Sequence, residues 1–379
     1  MTKDVFRIKK WREKVKLKQI ISNSPITFEK FMEICLFHPE FGYYAKGNLP
    51  GKKGDYVTSP CIHKIFGATL GLQVLEIYEL LGKPPDFTIV EAGAGQGYLA
   101  LDLLFYLEKK GFSFNYYIVE PLEMLREVQK QTLEPFLSKV KWFSSLEELP
   151  AFKGIFLSNE LFDCFPVHLI EKKDGEIKEI WVKVNQDGKV EEFLDELSED
   201  RILDIVGPFV DSWIEGYRTE VCLKIDGFYE NLGKKLKQGA ILTIDYGYPR
   251  RDYYSPERIK GTLMCYYKHQ AVESPYLKPG ETDITAHVDF TTLKEAGEKR
   301  GFKTLGFTQQ GSYLVGLGIE KVLVEITEKT WKDIEALKFL TFPQGLGSSH
   351  WVLLQGRDLD VKGQLLKGFS LSNRMYLLD

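Results

Sequence analysis

The feature that most constrains the fold is a glycine-rich loop that joins a predicted strand to a predicted helix. Residues 87–91 read Phe-Thr-Ile-Val-Glu, a short run typical of a strand, and glycines follow at positions 93, 95 and 97. Apolar side chains then recur at helical spacing on one face, at Ala100, Leu103, Leu104 and Leu107. A strand that turns through glycines into a helix begins a βαβ unit, and this predicts a parallel sheet.

The same alternation of strand and helix continues along the chain. Further strands are predicted at residues 115–120, 140–143, 154–158 and 240–244, and strands near 302–307 and 350–355 complete the sheet. Pro121 suits the first position of the helix after the second strand, and Asp289 suits the N-cap of a later helix. The predicted fold class is therefore α/β, with a Rossmann-like sheet, a helical N-terminal lead-in and a β-rich insertion.

The chain is expected to divide near residue 80. Residues 1–80 are predicted to form a helical lead-in that covers the ligand site, beginning with a basic amphipathic helix at 1–18. Residues 81–379 then form the main domain, with an insertion at about 166–237 that carries turns at 173–175 and 186–188. A loop at about 246–288 is rich in Gly, Pro, Tyr and His, and a loop of that length is usually functional or disordered.

Composition narrows the class of protein. The chain has 379 residues and is 44% hydrophobic, which excludes a disordered chain. Lys and Arg total 50 against 54 for Asp and Glu, a net charge of −4 that argues against a nucleic-acid partner. No apolar run approaches the roughly 18 residues of a membrane span. We therefore expect neither a nucleic-acid partner nor a membrane span.

The five cysteines are scattered and form no Cys-x-x-Cys pair, so neither a zinc site nor a redox motif is indicated, and no metal is predicted. We expect five thiols in a reducing compartment. The sequence predicts a cytoplasmic protein, although a mitochondrial matrix protein that has lost its presequence would have the same features.

The glycine loop predicts a cofactor. Its third glycine, Gly97, comes one residue too early for the dinucleotide pattern Gly-x-Gly-x-x-Gly, whose first two glycines match Gly93 and Gly95. Glu91 precedes the loop and would repel a pyrophosphate but attract a sulfonium cation. Glu120 ends the next strand, where an acid accepts hydrogen bonds from ribose hydroxyls. These residues favour S-adenosylmethionine as the ligand, with NAD as the alternative. The loop could also bind no ligand and only pack the helix entrance against the sheet.

Several ordered motifs carry a resemblance to a known family, and together they cover roughly residues 25–355. These motifs lie at residues 37–44, 54–60, 66–67, 91–97, 120–121, 158–163, 166–167, 245–247, 283–290, 308–311 and 317–318. In their order and number they resemble the MidA family of class I methyltransferases. The chain departs from the family pattern at Ala92, at Cys61 and at 346–348, but no departure removes a glycine or a carboxylate.

The resemblance implies a Rossmann-like class I methyltransferase that uses S-adenosylmethionine. The family includes a mitochondrial complex I assembly methyltransferase that dimethylates an arginine of a complex I subunit, so a protein substrate is expected here. The oligomeric state, the acceptor and the source organism are not indicated.

Polar residues beyond the fourth strand are the candidate acceptor site. Asn159 is predicted to contact the cofactor, and Glu160 and Asp163 are the candidate catalytic carboxylates. Two carboxylates three residues apart share one side of a helical turn, from which they can hold a guanidinium. Alternatively, Asp163 only caps the following turn.

Three further residues are candidates in other segments. His287 follows the long loop and is a candidate base for the acceptor's proton, although a hydrogen bond to the loop backbone is as good an explanation. Thr58 and Ser59 are predicted to reach the amino-acid end of the cofactor, or else only to form the turn at Pro60.

Three functions remain open at this point. The first is methylation of a protein arginine, which these residues favour. The second is a small-molecule N- or O-methyltransferase. The third is an assembly chaperone that has the same fold and binds a client protein through the aromatic stretch 246–276, without catalysis.

Overall fold

The computed structural model describes residues 20, 24–46, 58–187, 189–267, 270–361 and 363–379. The predicted basic helix at 1–18, part of the motif at 54–60 and Gly188 of the second turn therefore lie outside the described residues. The chain packs as two compact units, here called the sheet unit and the hairpin unit. The sheet unit comprises the described residues of Leu49–Asp163, Ile225–Arg250 and Val288–Asp379, and the hairpin unit those of Met1–Asn48, Cys164–Lys224 and Arg251–His287.

The strands are numbered along the chain. They are β1 (Ile26–Thr27), β2 (Thr88–Ala92), β3 (Asn115–Val119), β4 (Val140–Phe143), β5 (Phe152–Asn159), β6 (His168–Lys173), β7 (Glu176–Val184), β8 (Val190–Asp195), β9 (Arg218–Val221), β10 (Leu236–Tyr248), β11 (Met264–Tyr267), β12 (Gln270–Ala271), β13 (Asp283–Thr285), β14 (Val288–Asp289), β15 (Lys303–Gln309) and β16 (His350–Arg357).

The helices are numbered in the same way, leaving out single 3₁₀ turns. They are α1 (Phe28–Phe37), α2 (Ser59–Ile62), α3 (Ile65–Leu80), α4 (Tyr98–Lys109), α5 (Glu123–Thr132), α6 (Arg201–Val210), α7 (Lys224–Lys235), α8 (Arg250–Tyr253), α9 (Phe290–Glu298), α10 (Gln310–Leu317), α11 (Ile319–Ile326) and α12 (Trp331–Thr341).

The sheet unit is built on one mostly parallel sheet. Its strand order is β15-β16-β10-β5-β2-β3-β4, with β14 beside β10. Strands β4, β3, β2, β5 and β10 run parallel, whereas β16 is antiparallel to both β10 and β15. The predicted α/β class, with strand and helix alternating around a parallel sheet, is confirmed.

The strand order reverses at β2. From β2 the chain moves outward to β3 and β4, and then returns to the other side of β2 as β5. In open α/β sheets a ligand binds beyond the carboxyl ends of the strands where the order reverses. The residues that follow β2 and β5 therefore occupy the expected position of a ligand site.

The helix ends test two of the sequence predictions. Asp289 is the N-cap of α9, and its carboxylate accepts a hydrogen bond from the Thr291 N–H at 3.0 Å, as predicted. The expectation that Pro121 opens a helix is wrong, because α5 begins at Glu123. The Leu122 N–H donates to the Glu120 carboxylate at 3.0 Å, and this hydrogen bond accompanies an extended backbone at Leu122.

The core of the sheet unit lies between the sheet and its helices. Strand residues Ile89, Ile155 and Leu242 are at most 1% exposed, as are Leu103 of α4 and Val74 of α3. Burying an aliphatic side chain of this size contributes about 1.5–3 kcal/mol. The helical face predicted for α4 is thus the face that packs on the sheet and fixes the glycine loop at its entrance.

The hairpin unit is assembled from three chain segments. Its sheet has the order β1-β7-β6-β9, with β8 beside β7. The predicted turn at 173–175 joins β6 to β7, and Asp174 and Gly175 have positive φ values of 53° and 81°, as a two-residue hairpin turn requires. Strand β8 and helix α6 were not predicted. The expected boundary at residue 80 does not coincide with the boundaries of the units.

Two further findings concern the disulfide state of the cysteines and the length of the helices among the described residues. All five cysteines lie among these residues, and none forms a disulfide. Within the described ranges, no helix has the length and apolar character needed to cross a membrane.

Candidate active site

The three glycines of the loop have different structural roles. A Cβ at Gly93 would lie 2.8 Å from Leu161 Cδ1, so this position allows close packing of the loop that follows β5. Gly97 is the N-cap of α4 and has a φ of 85°, which favours glycine at this helix entry. A Cβ at Gly95 would meet no atom within 4 Å, and Gly95 lies on the wall of a cleft. Only Gly95 therefore keeps open space that a ligand can fill.

Glu91 is a buried carboxylate on the wall of the same cleft. It lies in β2, is 2% exposed and accepts a hydrogen bond of 2.5 Å from the Tyr116 hydroxyl of β3. Burial raises the pKa of Glu91 to about 7, and the hydrogen bond from Tyr116 acts in the opposite direction. A cation bound near this carboxylate would favour its ionised form.

Glu120 is also buried, directly after β3. Its carboxylate accepts hydrogen bonds from the Leu122 N–H and from Gln129 Nε2 at 3.2 Å, while burial raises its pKa to about 7. Gln129 Nε2 also lies 3.0 Å from the carbonyl oxygen of Gly95, and Trp142 Nε1 donates to Gln129 Oε1. Gln129 thus links Glu120 to the glycine loop, a connection that the sequence did not reveal.

Thr58 and Ser59 differ in their surroundings. Thr58 lines the cleft, and its hydroxyl lies 3.3 Å from Cys61 Sγ. Ser59 is fully buried and donates its hydroxyl hydrogen to Gln310 Oε1 at 3.1 Å. Thr58 is therefore placed at the cleft, and Ser59 anchors α2 to α10 in the interior.

Glu160 follows β5 in an unusual backbone conformation. Its φ is 50°, in the left-handed region that non-glycine residues rarely adopt and that clusters at functional sites. The Glu160 N–H donates to the Ile244 carbonyl at 2.8 Å, and Asn159 Nδ2 donates to Glu160 Oε1 at 3.1 Å. Both Asn159 and Glu160 line the cleft. The Glu160 side chain itself is 5% exposed.

Asp163 and Asp245 lie close to Glu160. Asp245, at the end of β10, accepts hydrogen bonds from the backbone N–H groups of Leu161 and Phe162 at 3.1 and 2.9 Å, and so holds the loop that carries the other two carboxylates. Burial raises the pKa of Asp245, and the charges of Asp163 and Glu160 raise it further. The Tyr246 hydroxyl donates a hydrogen bond to Asp163. The charges of Asp163 and Glu160 thus act on a third, buried carboxyl, and such a group of carboxyls favours a cation.

His350 is the first residue of β16 and joins this group. Its Nε2 lies 3.4 Å from Glu160 Oε1, and its ring meets Tyr246 edge to face with centroids 5.6 Å apart. Because β16 is antiparallel to β10, its first residue pairs with Tyr246 at the carboxyl edge of the sheet. We did not predict Asp245, Tyr246 or His350 as site residues; the signals available for Asp245 and Tyr246 were their place in the motif 245–247 and the position of Asp245 directly after the predicted strand 240–244.

His287 belongs to the hairpin unit. Its backbone N–H donates to Thr262 Oγ1 at 3.0 Å, and Thr262 is in turn held by the buried Glu220. The alternative that the sequence left open is a hydrogen bond from the His287 side chain to the loop backbone; the bond to Thr262 is made by the His287 backbone and does not decide between the two. The role of His287 as a base stays a prediction.

Comparison with known proteins identifies the class. A family model described as S-adenosyl-L-methionine-dependent methyltransferase matches residues 69–308. The chain therefore belongs to this methyltransferase family, and the resemblance to MidA-family enzymes is confirmed.

Individual relatives agree with this assignment. The chain is 28% identical to mouse "Protein arginine methyltransferase NDUFAF7, mitochondrial" over 82% of this chain and 75% of the mouse protein, and 28% identical to the human protein of that name over 82% and 74%. A crystal structure of a Burkholderia thailandensis superfamily member, described as a methyl transferase bound to S-adenosyl-homocysteine, is 29% identical with a TM-score of 0.88, covering 97% of both chains.

The cleft residues fit the cofactor of this family. Gly95 leaves open space beside the backbone, Glu91 supplies a carboxylate for a cationic ligand, and α4 begins at the loop. Glu91, Gly93, Gly95, Asn159 and Thr58 line this cleft and would be the residues to hold S-adenosylmethionine there, while the contact of Glu120 with the ribose hydroxyls stays a prediction. The protein is thus a methyltransferase that uses S-adenosylmethionine.

Proposed function

We propose that this protein transfers a methyl group from S-adenosylmethionine to an arginine side chain of a protein substrate. The observation that carries the proposal is the placement of Glu160, in a left-handed conformation, between the cofactor cleft and two further carboxylates. The names of the mouse and human relatives, which are protein arginine methyltransferases, support the same acceptor.

A guanidinium is the cation best matched to this set of carboxylates. It presents donors in a planar fork that two carboxylate oxygens accept side by side, and it stays protonated at all ordinary pH values. Burial raises the pKa of Asp245, the charges of Asp163 and Glu160 raise it further, and a bound cation would relieve the repulsion from those two charges. A bound arginine would therefore be stabilised electrostatically by the acceptor site, and a neutral acceptor would not.

The residues of the chain then have defined tasks in the reaction. Bound S-adenosylmethionine supplies an electrophilic methyl group on a positively charged sulfur. Glu160 pairs with the guanidinium nitrogens that do not react, and so draws positive charge away from the attacking nitrogen. Asn159 and the backbone strain at Glu160 fix the direction of this carboxylate. A near-attack separation of about 3 Å between the reacting atoms requires such fixed positions.

The test is transfer of label from methyl-labelled S-adenosylmethionine to a protein extract of the source cells, followed by mass spectrometry of the digested proteins. We expect label on arginine, strongly reduced with Glu160→Gln. The matched control is Glu328→Gln, which removes an exposed carboxylate away from the cleft and should leave labelling intact.

Other outcomes identify the alternatives. Label on a metabolite would mean a small-molecule methyltransferase, and label on lysine or a glutamine amide would overturn the arginine assignment. Capture of a client protein without any label would mean an assembly chaperone. We also place the protein in the cytoplasm, or in the mitochondrial matrix if the source is eukaryotic; the relatives named above are mitochondrial.

A further inference from the structure

We propose that His350 is the positioning residue of Glu160, which it orients and with which it shares a proton through Nε2. This inference rests on the proposed arginine methylation, because it assigns the residue that controls the charge of the guanidinium clamp. The pair is formed by the first residue of β16 and the residue after β5, which the sequence separates by 190 positions.

The geometry of the pair indicates that Glu160 Oε1 and His350 Nε2 share one proton. The Glu160 and His350 side chains are 5% and 6% exposed, and Glu160 Oε1 lies 3.4 Å from His350 Nε2. Within the described part of the chain, Nε2 makes no hydrogen bond although it is buried. A buried carboxylate that faces a ring nitrogen across this distance is favourable only when a proton lies between them.

The opposite side of the ring is held in place. Nδ1 lies 3.0 Å from the Ser349 hydroxyl, and the ring packs edge to face on Tyr246. A hydroxyl can donate or accept, so this contact holds the ring in place whichever ring nitrogen carries the proton. The ring is therefore aimed at Glu160, and rotation away from it would break two contacts.

The charged groups around His350 come from one side. Glu160 follows strand β5, and β10 contributes Tyr246 and Asp245, while Asp163 accepts a hydrogen bond from Tyr246. Helix α10 carries no charged residue, and its Tyr313 hydroxyl is donated to Gln73. Helix α9 meets β16 at Gln355, at the other end of the strand. The charged group nearest to the ring in these contacts is therefore the Glu160 carboxylate.

This arrangement gives the proton a path during methyl transfer. In the empty site, the shared proton offsets the charge of Glu160. When a guanidinium binds, Glu160 pairs with it as the carboxylate, and the shared proton passes from Nε2 to the solvent, which leaves Nε2 free to accept a proton. As the nitrogen–methyl bond forms and the methyl–sulfur bond breaks, the electron pair of that bond stays on sulfur. The methylated nitrogen then gives up one proton, which passes to Glu160 and on to Nε2.

A double-mutant cycle tests the pair without any acceptor. Unfolding by urea is measured at pH 6 and pH 9 for the wild type, His350→Phe, Glu160→Gln and the double variant. We expect His350→Phe to lower the urea midpoint at pH 6 only when Glu160 is present, and this coupling to shrink at pH 9. Additive effects at both pH values would overturn the proposal, because a packing role of the ring does not depend on Glu160 or on pH.

A second variant tests the proposal even if His350→Phe does not fold. His350→Gln keeps an amide that can donate to Glu160 but cannot exchange a proton. With protein extract and labelled S-adenosylmethionine, we expect His350→Gln to keep the KM for the cofactor, to lower kcat and to lose the fall in rate at acidic pH. An unchanged pH profile would overturn the proposal. Absence of arginine label in the wild type would refute the proposed function instead, while the urea cycle would still report on the pair.

Discussion

The hydroxyl of Tyr116 and the carboxylate of Glu91 lie 2.5 Å apart in the interior of the sheet, beside the cofactor cleft. Strands β2 and β3 place the two residues on one face, since Glu91 pairs with Ile118, two residues beyond Tyr116. Burial raises the pKa of Glu91 to about 7, so this carboxyl titrates near neutral pH. The cofactor site therefore contains a group whose charge changes within the physiological range.

Cofactor affinity should depend on this charge. A cationic ligand favours the ionised carboxyl, so S-adenosylmethionine should bind up to roughly tenfold more tightly at pH 8 than at pH 6. Calorimetry at the two pH values measures the ratio. Glu91→Gln should reduce it, with a remainder from Glu120, whose pKa burial also raises to about 7. Glu328→Gln should retain the full ratio; an equal ratio in Glu91→Gln would exclude Glu91 as its source.

The same group should lower stability at high pH. Because the folded pKa of Glu91 lies above its ordinary value of 4.5, the folded state binds more protons than the unfolded state between pH 4.5 and about 7. Stability is therefore lost as the pH rises through this window. Glu91→Gln removes the effect and should gain on the order of a few kcal/mol relative to the wild type between pH 5 and pH 8. Urea unfolding at both values is the measurement, and a pH-independent difference would contradict it.

Gly95→Val should abolish binding of S-adenosylmethionine while the protein still unfolds cooperatively. The added side chain would fill the open space at this position, and the φ of 52° adds strain. Gly111→Val is the matched control, because Gly111 has a φ of 67° and open space at the end of α4, away from the cleft. Both variants should lose similar stability, and calorimetry should find binding in the control only. Undiminished binding by Gly95→Val would refute the assignment of the loop.

Glu160→Gln should separate binding from turnover. It keeps the shape of the side chain and removes the charge that pairs with the acceptor. Affinity for S-adenosylmethionine should change little, while kcat should fall by roughly two orders of magnitude or more, as when one preorganised electrostatic group is lost. Turnover of labelled protein substrate and calorimetry with the cofactor measure the two quantities. Unchanged turnover would remove Glu160 from the mechanism and leave the family assignment intact.

The cysteines should all react as thiols. None of the five forms a disulfide, and burial raises the pKa of Cys265 to about 12, so it should react slowly in the folded protein. Thiol titration in denaturant, without prior reduction, should find five equivalents. A lower count would indicate oxidation and would contradict a reducing compartment.

The sequence was most informative where the signal is local. A strand, three glycines and a helix are adjacent in the chain, and so the loop and its position at the sheet edge could be predicted. The spacing of Glu160 and Asp163 was equally local. Helix α5 was misplaced by two residues because the hydrogen bond between Leu122 and Glu120 outweighs the preference of Pro121 for a helix start.

Contacts between distant segments could not be predicted. Asp245 holds the loop after β5 from a strand some 80 residues later, and Gln129 reaches back to Glu120 and Gly95. The position of His350 beside Glu160 depends on β16 running antiparallel to β10. The residue pattern of a strand does not indicate in which direction it runs in the sheet. The hairpin unit draws on three segments, so the insertion and the long loop looked like separate features.

The reversed direction of β16 has a consequence for how this enzyme can change over time. Parallel strands contribute their last residues to the reacting edge, and those residues lead into the loops that also hold the cofactor. Strand β16 contributes its first residue, and the segment before it, residues 342–349, follows helix α12 rather than a parallel strand. We expect substitutions there to alter the groups around Glu160 more than they alter the glycine loop. Acceptor preference in such a fold is free to diverge at one strand start, and a laboratory library confined to this segment would sample new acceptors on a constant donor site.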